Sequence, residues 1–194
     1  LFDGSKILFV SASETKGIIA SIVFAKRHGV KKIVLSNADE SAWEVKDFLR
    51  ENNIPLILAD PLSLPKYDYS DTKMPFKLAS LFSKEGILVC LTYSNQAYPN
   101  LPFAAGETAA YGLTKEEALQ TVTLNTAKIL GIDDRTGSLE TGKDANIVVS
   151  TGDLLDMSTN NVELAFITGR NISLDNKHKQ LYRRYQAKYA NMGK

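Results

Sequence analysis

The chain has 194 residues, of which 44% are hydrophobic, 9% aromatic and 23% charged, a balance that excludes a disordered tail, a collagen-like fibre and a coiled coil. A domain of this length can bury roughly 70% of its unfolded surface, so it needs no disulfide or structural metal for stability. Lys and Arg number 23 against 22 Asp and Glu, a formal charge of +1, so no global field draws the chain to nucleic acid or to an anionic membrane, and neither is expected as a partner.

No apolar stretch approaches the ~20 residues needed to cross a bilayer, and Leu1-Phe2-Asp3-Gly4-Ser5-Lys6 lacks the shape of a signal peptide, so the sequence indicates no compartment. The first strand begins within a few residues of a start that is not Met, so the chain is expected to be a piece of a longer protein. Four unalternating apolar runs follow: Ile7–Val10, Ile33–Leu35, Ile54–Leu58 and Ile87–Leu91. Such runs predict strands buried on both faces, as in a parallel sheet. The single cysteine, Cys90, lies in the last run and reads as a small buried hydrophobe, which excludes disulfides and cysteine zinc sites within one chain.

Between the runs the period is helical. Residues 14–28 carry Ile18, Ile19, Ile22 and Val23 on one face and stop at His28-Gly29. Residues 40–52 place Ala42, Val45 and Leu49 at helical spacing. Residues 60–73 lack periodicity and read as a loop, with a helix over Met74–Ser83 after it. Tyr93–Asn100 is again loop, and three helical segments follow. The clearest start is Thr114-Lys115-Glu116-Glu117, a capping box. From Gly131 the chain turns to short strands, at 145–149 and 162–168, with Gly137–Gly142 as hairpin punctuation. A last helix spans Asp175–Tyr189, its Tyr182, Tyr185 and Tyr189 expected to strap over a core edge rather than to form a basic aromatic face for RNA. The β-α alternation predicts a parallel α/β layer, either an open sheet or part of a barrel.

Parallel α/β proteins bind ligands at the carboxyl ends of their strands. The polar residues there are Ser11, Ser13, Ser36, Asn37, Asp60, Tyr93, Ser94 and Asn95. Ser13 and Asn37 also fit as helix N-caps. Ser11, Ser36, Asn37, Tyr93 and Ser94 are the candidate lining of a small-molecule pocket. No catalytic residue stands out: there is no nucleophile elbow, and the only histidines, His28 and His178, fall on helices away from the strand ends.

The run Tyr111-Gly112-Leu113-Thr114-Lys115-Glu116-Glu117-Ala118-Leu119, then Thr123-Leu124-Asn125-Thr126-Ala127-Lys128-Ile129-Leu130-Gly131, then Gly137-Ser138-Leu139-Glu140-Thr141-Gly142-Lys143-Asp144-Ala145-Asn146-Ile147-Val148-Val149 resembles the C-terminal part of the amidohydrolase superfamily, in particular its imidazolonepropionase-like branch. The resemblance implies that residues 1–130 are strands five to eight of a (β/α)8 TIM-like barrel, that 131–174 are part of a small β-sandwich, and that 175–194 are a C-terminal helix. It also implies a missing N-terminal half of the barrel as the chain's partner.

Active members of that superfamily use Zn, Fe or Mn to activate a water that attacks a C–N bond, with ligands on strands one, five, six and eight. At the corresponding positions this sequence has Ser11, Ser36-Asn37 and Tyr93, so no metal ligand or cofactor is expected within this chain. A divalent metal is expected only in an intact parent. The expectation is a degenerate hydrolase that acts in binding or pairing. The alternative is an active imidazolonepropionase-like parent that takes its ligands from the absent half, and a third reading is a flavodoxin-like or receiver-like module. Unpaired edges on the first and fourth strands would favour a homo-oligomer.

Overall fold

A computed structural model describes residues 1–93 and 98–192. Four βα steps open the chain: β1 (Leu8–Ser11), α1 (Thr15–Arg27), β2 (Ile33–Ala38), α2 (Glu40–Trp43), α3 (Lys46–Glu51), β3 (Leu56–Leu58), α4 (Met74–Lys84) and β4 (Val89–Leu91). The strands form one sheet in the order β1-β2-β3-β4, every pair parallel. Sequence order and spatial order therefore coincide, with no reversal point.

One face of this sheet makes the core. Leu35, Leu56, Leu58, Val89 and Leu91 pack with Ile18 and Ile22 of α1, Leu49 of α3 and Leu78 and Phe82 of α4. The opposite face is covered only in part. Val34 and Cys90 are buried against Ile129, yet Phe9, the register partner of Val34, keeps 44% of its surface exposed. Continuous apolar runs had predicted burial on both faces, and one face meets that expectation.

The stretch 40–52 is two helices rather than the one its period predicts. At Val45 the backbone leaves helical geometry (φ −116°, ψ 24°). Residues two apart point about 200° away from each other on a continuous helix. The break lets Trp43, edge-on to Phe82, and the buried Val45 both turn to the core. The third strand is shorter than its apolar run, because Pro55 has no N–H for a ladder and Asn53 before it is left-handed (φ 52°).

After β4 come a 3-10 turn at Tyr98–Asn100, then α5 (Leu101–Ala110), α6 (Lys115–Val122) and α7 (Leu124–Leu130). The predicted capping box is present: the Thr114 hydroxyl accepts from the Glu117 N–H at 3.2 Å, and the Glu117 carboxylate accepts from the Thr114 N–H at 2.7 Å. Asn125 of α7 donates its amide to the carbonyl of Val89 at 3.1 Å. The ladder bonds of β4 to β3 use Leu88 O and Thr92 N, so the Val89 carbonyl lies on the outer edge of the sheet and a side chain occupies it.

The remainder is a second sheet of β5 (Ile147–Ser150), β6 (Val162–Ile167) and β7 (Arg170–Asn171), antiparallel in that order. The strand β7 adds a third strand to the two, at 145–149 and 162–168, that the sequence predicts. Gly137 and Gly142 do not join two strands of a hairpin, since β5 begins only at Ile147. They are left-handed turn residues, and a Cβ on Gly137 would stand 2.6 Å from that of Ala127. The last helix, α8 (Lys177–Met192), is exposed along its described side chains. Tyr182, Tyr185 and Tyr189 keep 66%, 49% and 63% of their surface, so they do not strap over a core edge. Among the described residues no helix is long and apolar enough to cross a membrane.

Candidate functional site

The carboxyl ends of the four parallel strands lie side by side, which gathers residues that are 20 or more positions apart in sequence. At the β1–β2 end the register sets Ser11 beside Ser36. The Ser36 hydroxyl donates to the carbonyl of Val10 at 3.1 Å, and the Asn37 amide donates to the Ser11 hydroxyl at 3.4 Å. Asn37 is left-handed (φ 54°) at the bulge between Ser36 and Ala38, a conformation that Asn tolerates better than most residues. Neither Ser13 nor Asn37 caps a helix. The N-cap of α1 is Glu14, without a side-chain bond, and that of α2 is Asp39, whose carboxylate accepts from the Ser41 N–H at 2.9 Å.

Tyr93 stands at the β4 end. Burial pushes its phenol above the usual value of 10.0, and the Asp60 carboxylate at the β3 end adds to the rise. Two polar groups result: Ser11, Ser36 and Asn37 joined by hydrogen bonds at one end of the row, Asp60 and Tyr93 at the other. Ser94 and Asn95 lie outside the described residues.

A cavity of about 350 Å³ opens on the helix side of the strand ends. Its floor is Leu58, Leu78, Leu91 and Pro75, all members of the core face or of α4 beside it. Of the polar residues the sequence singled out, Ser13 and Asp60 line it, while Ser11, Ser36, Asn37 and Tyr93 do not. The rim adds a network the sequence reading missed. Lys66, from the long β3–α4 connection, donates its ammonium to Asp39 at 2.9 Å, to the Ser41 hydroxyl at 2.7 Å and to the Ser13 carbonyl. Burial works against the Lys66 charge, but the hydrogen bond and charge of Asp39 outweigh it and hold its pKa above the usual value. Glu40 is buried and accepts from the Lys66 N–H at 3.0 Å and from the Ser70 hydroxyl. Tyr67 meets the Ser41 hydroxyl at 2.9 Å. These bonds clamp the 59–73 loop over the cavity. Asp39-Glu40-Ser41 was visible only as the start of a helix, and nothing local in the sequence ties it to Lys66.

The donor set does not fit a catalytic divalent ion. Among the described residues no three His, Cys, Asp or Glu side chains come together. The Ser36 hydroxyl is engaged by its own sheet, and a phenol raised above 10 does not supply the anionic oxygen that a carboxylate does. No reaction step through a metal is derived from these residues. Cys90 offers no thiolate, because burial pushes its thiol up to about 11.

An all-parallel βα sheet in sequence order, its carboxyl end clamped by a long loop and followed by a small antiparallel sheet, defines an α/β class of protein with an appended β layer. Comparison with known proteins finds similarity to one family. Residues 81–172 match the amidohydrolase family. The chain is 34% identical over 125 residues to an imidazolonepropionase of Shewanella frigidimarina, covering 64% of this chain and 25% of that protein. It is 40% identical over 99 residues to one of Shewanella baltica, covering 51% and 20%. In three dimensions it superposes on an amidohydrolase from Thermotoga maritima with a TM-score of 0.75 and 27% identity, over 89% of this chain and 44% of that one. The chain is similar to the amidohydrolase superfamily and, within it, to the imidazolonepropionases. The matched stretches span less than half the length of each of these relatives.

Proposed function

We propose that these residues supply strands five to eight of an amidohydrolase-like (β/α)8 barrel together with part of its small β domain, and that this half binds a small molecule without providing metal ligands. The strand order supports the barrel, since open doubly wound sheets reverse direction at a switch point and this sheet does not. So does the sheet face opposite the helices, which bears the half-exposed Phe9 where a barrel interior would be filled by strands from the other side. The missing N-terminal half of the barrel is the partner that such a face and the two edges call for. The observation that carries the functional reading is the donor set of Ser11, Ser36, Asn37 and Tyr93 at the strand ends, beside a loop-clamped apolar cavity.

A second reading keeps the parent polypeptide catalytic, as an imidazolonepropionase-like hydrolase whose Zn, Fe or Mn is held by other strands. The two imidazolonepropionase relatives favour it. Elemental analysis of the longest natural polypeptide that contains this sequence, purified without chelator, separates the two. Metal well below one per chain, with no turnover of imidazolonepropionate, is the expected result. A stoichiometric divalent ion with turnover would establish the second reading instead.

A further inference from the structure

The cavity beneath the 59–73 loop is apolar at its base and acidic in its charged lining. At about 350 Å³ it lies at the small end of the range, roughly 300–1,000 Å³, that small-molecule sites occupy. Leu58, Leu78, Leu91 and Pro75 form the floor, and the charged residues that line it are Glu14, Asp39, Glu40, Asp60 and Lys66. Four carboxylates against one ammonium make a formal charge of −3.

That ammonium is already committed to Asp39, at 2.9 Å. The other three carboxylates have only neutral partners or none among the described residues. Glu40 keeps just 6% of its surface exposed, and it accepts from two neutral donors, the Lys66 N–H at 3.0 Å and the Ser70 hydroxyl. Asp60 accepts from the Leu62 N–H at 2.9 Å. Glu14 starts α1 without a side-chain bond to that helix. Among the described residues no Lys or Arg forms an ion pair with any of the three. A carboxylate offers about four acceptor sites, so even Glu40 can take a further donor. The starts of α1 and α4 meet the cavity at Glu14 and Pro75. A helix N-terminus acts as about half a positive charge, so the two supply about +1 and leave the acidic surplus in place.

We propose that this cavity binds a small organic cation, an ammonium on an apolar body, with the body on the leucine floor and the charge among Glu14, Glu40 and Asp60. A bare metal ion fits less well: among the described residues no three His, Cys, Asp or Glu side chains come together, and an ion would leave the floor uncovered. An anion would meet the surplus of like charge, and a neutral hydrocarbon would leave three carboxylates unanswered. The inference rests on the reading of this half as a small-molecule binder. It moves the ligand to the helix side of the sheet, away from Ser11, Ser36 and Asn37, none of which lines the cavity.

Titration of the 194-residue chain with n-hexylammonium at neutral pH, where an alkylamine is cationic, tests it, with n-hexanol and hexanoate as the neutral and anionic counterparts. Backbone amide shifts in NMR spectra report both site and affinity. Hexylammonium should move the amides of Ala59, Ser63, Lys66 and Leu78 and bind at least tenfold more tightly than hexanol, while hexanoate leaves them unmoved. Butylammonium should bind roughly tenfold more weakly than hexylammonium, since each methylene buried on the floor is worth about three- to fourfold. The double variant Glu14→Gln, Asp60→Asn keeps an oxygen for the Leu62 N–H, and circular dichroism checks its fold. It should lose at least tenfold for hexylammonium and nothing for hexanol. Equal binding of hexylammonium and hexanol overturns the proposal, as does a folded double variant with undiminished affinity for hexylammonium, or no shift at the cavity with any probe. Shifts confined to Ser11, Ser36, Asn37 and Tyr93 also overturn it but leave the small-molecule reading standing. The metal content of the longer polypeptide, which decides that reading, does not alter the outcome at this cavity.

Discussion

Gly137 shows how much a single position can carry in the small layer. Its φ of +97° already disfavours any side chain, and a Cβ there would stand 2.6 Å from Ala127 Cβ and 3.1 Å from Leu124 Cα. Gly142 shares the left-handed geometry (φ +95°) but faces open space. Gly137→Ala should therefore lower stability by roughly 2–3 kcal/mol, and Gly142→Ala by only about 1 kcal/mol. Urea midpoints measure both, and equal shifts would mean that the Ala127 contact yields freely. In sequence the two glycines looked alike, as turn punctuation, because the distinguishing contact comes from a helix some ten residues earlier. The same limit explains Ser13 and Asn37. Each precedes a helix and has the right chemistry for a cap, yet the chain places Glu14 and Asp39 at those positions.

Among the elements, α6 was fully legible, since a capping box is a local device spanning four residues. The break at Val45 was not, because it serves two side chains, Trp43 and Val45, whose partners lie elsewhere in the chain. Nor was the Lys66 clamp, which joins a structureless loop to a helix start 27 residues away. The turn between β5 and β6 has a pH signature of its own. Asp153 is held below the usual 3.8 by the Lys115 hydrogen bond and by the Leu155 N–H. Asp156 is held below it by the Ser158 N–H, then by the Thr159 and Ser158 hydroxyls. Lowered values in the folded state mean that these groups contribute fully above pH 3.8 and that the contribution is lost as pH falls through their folded values. Acidification should thus open residues 152–160 before the parallel sheet. Hydrogen exchange below pH 3.8 is the check, and simultaneous loss of protection in both regions would contradict it.

At the scale of the molecule, the α/β layer is one-sided. Leu35→Ala on the helix face should cost about 2–5 kcal/mol, the range for a fully buried leucine. Phe9→Ala on the opposite face should cost under about 1 kcal/mol in this chain, because its side chain is 44% exposed. Thermal or urea unfolding of both variants decides the point, and equal losses would mean that the open face is covered. Four parallel strands were readable from their apolar runs, since burial writes itself into composition. Which face would remain open was not, because Phe9 and Leu35 are equally hydrophobic and only the assembled sheet assigns them to opposite sides.

The bond from Asn125 to the Val89 carbonyl has a bearing on how the sheet could grow. A bare edge recruits whatever strand arrives, native or not. Here one of the acceptors on β4 is already taken by an amide from α7, so an incoming strand must displace that amide before its own N–H can bond. A correct neighbour exchanges one hydrogen bond for a whole row and gains by it. A stray peptide with only one or two bonds to offer gains almost nothing. Asn125 thus works as a latch that a proper closing strand can lift and a chance contact cannot.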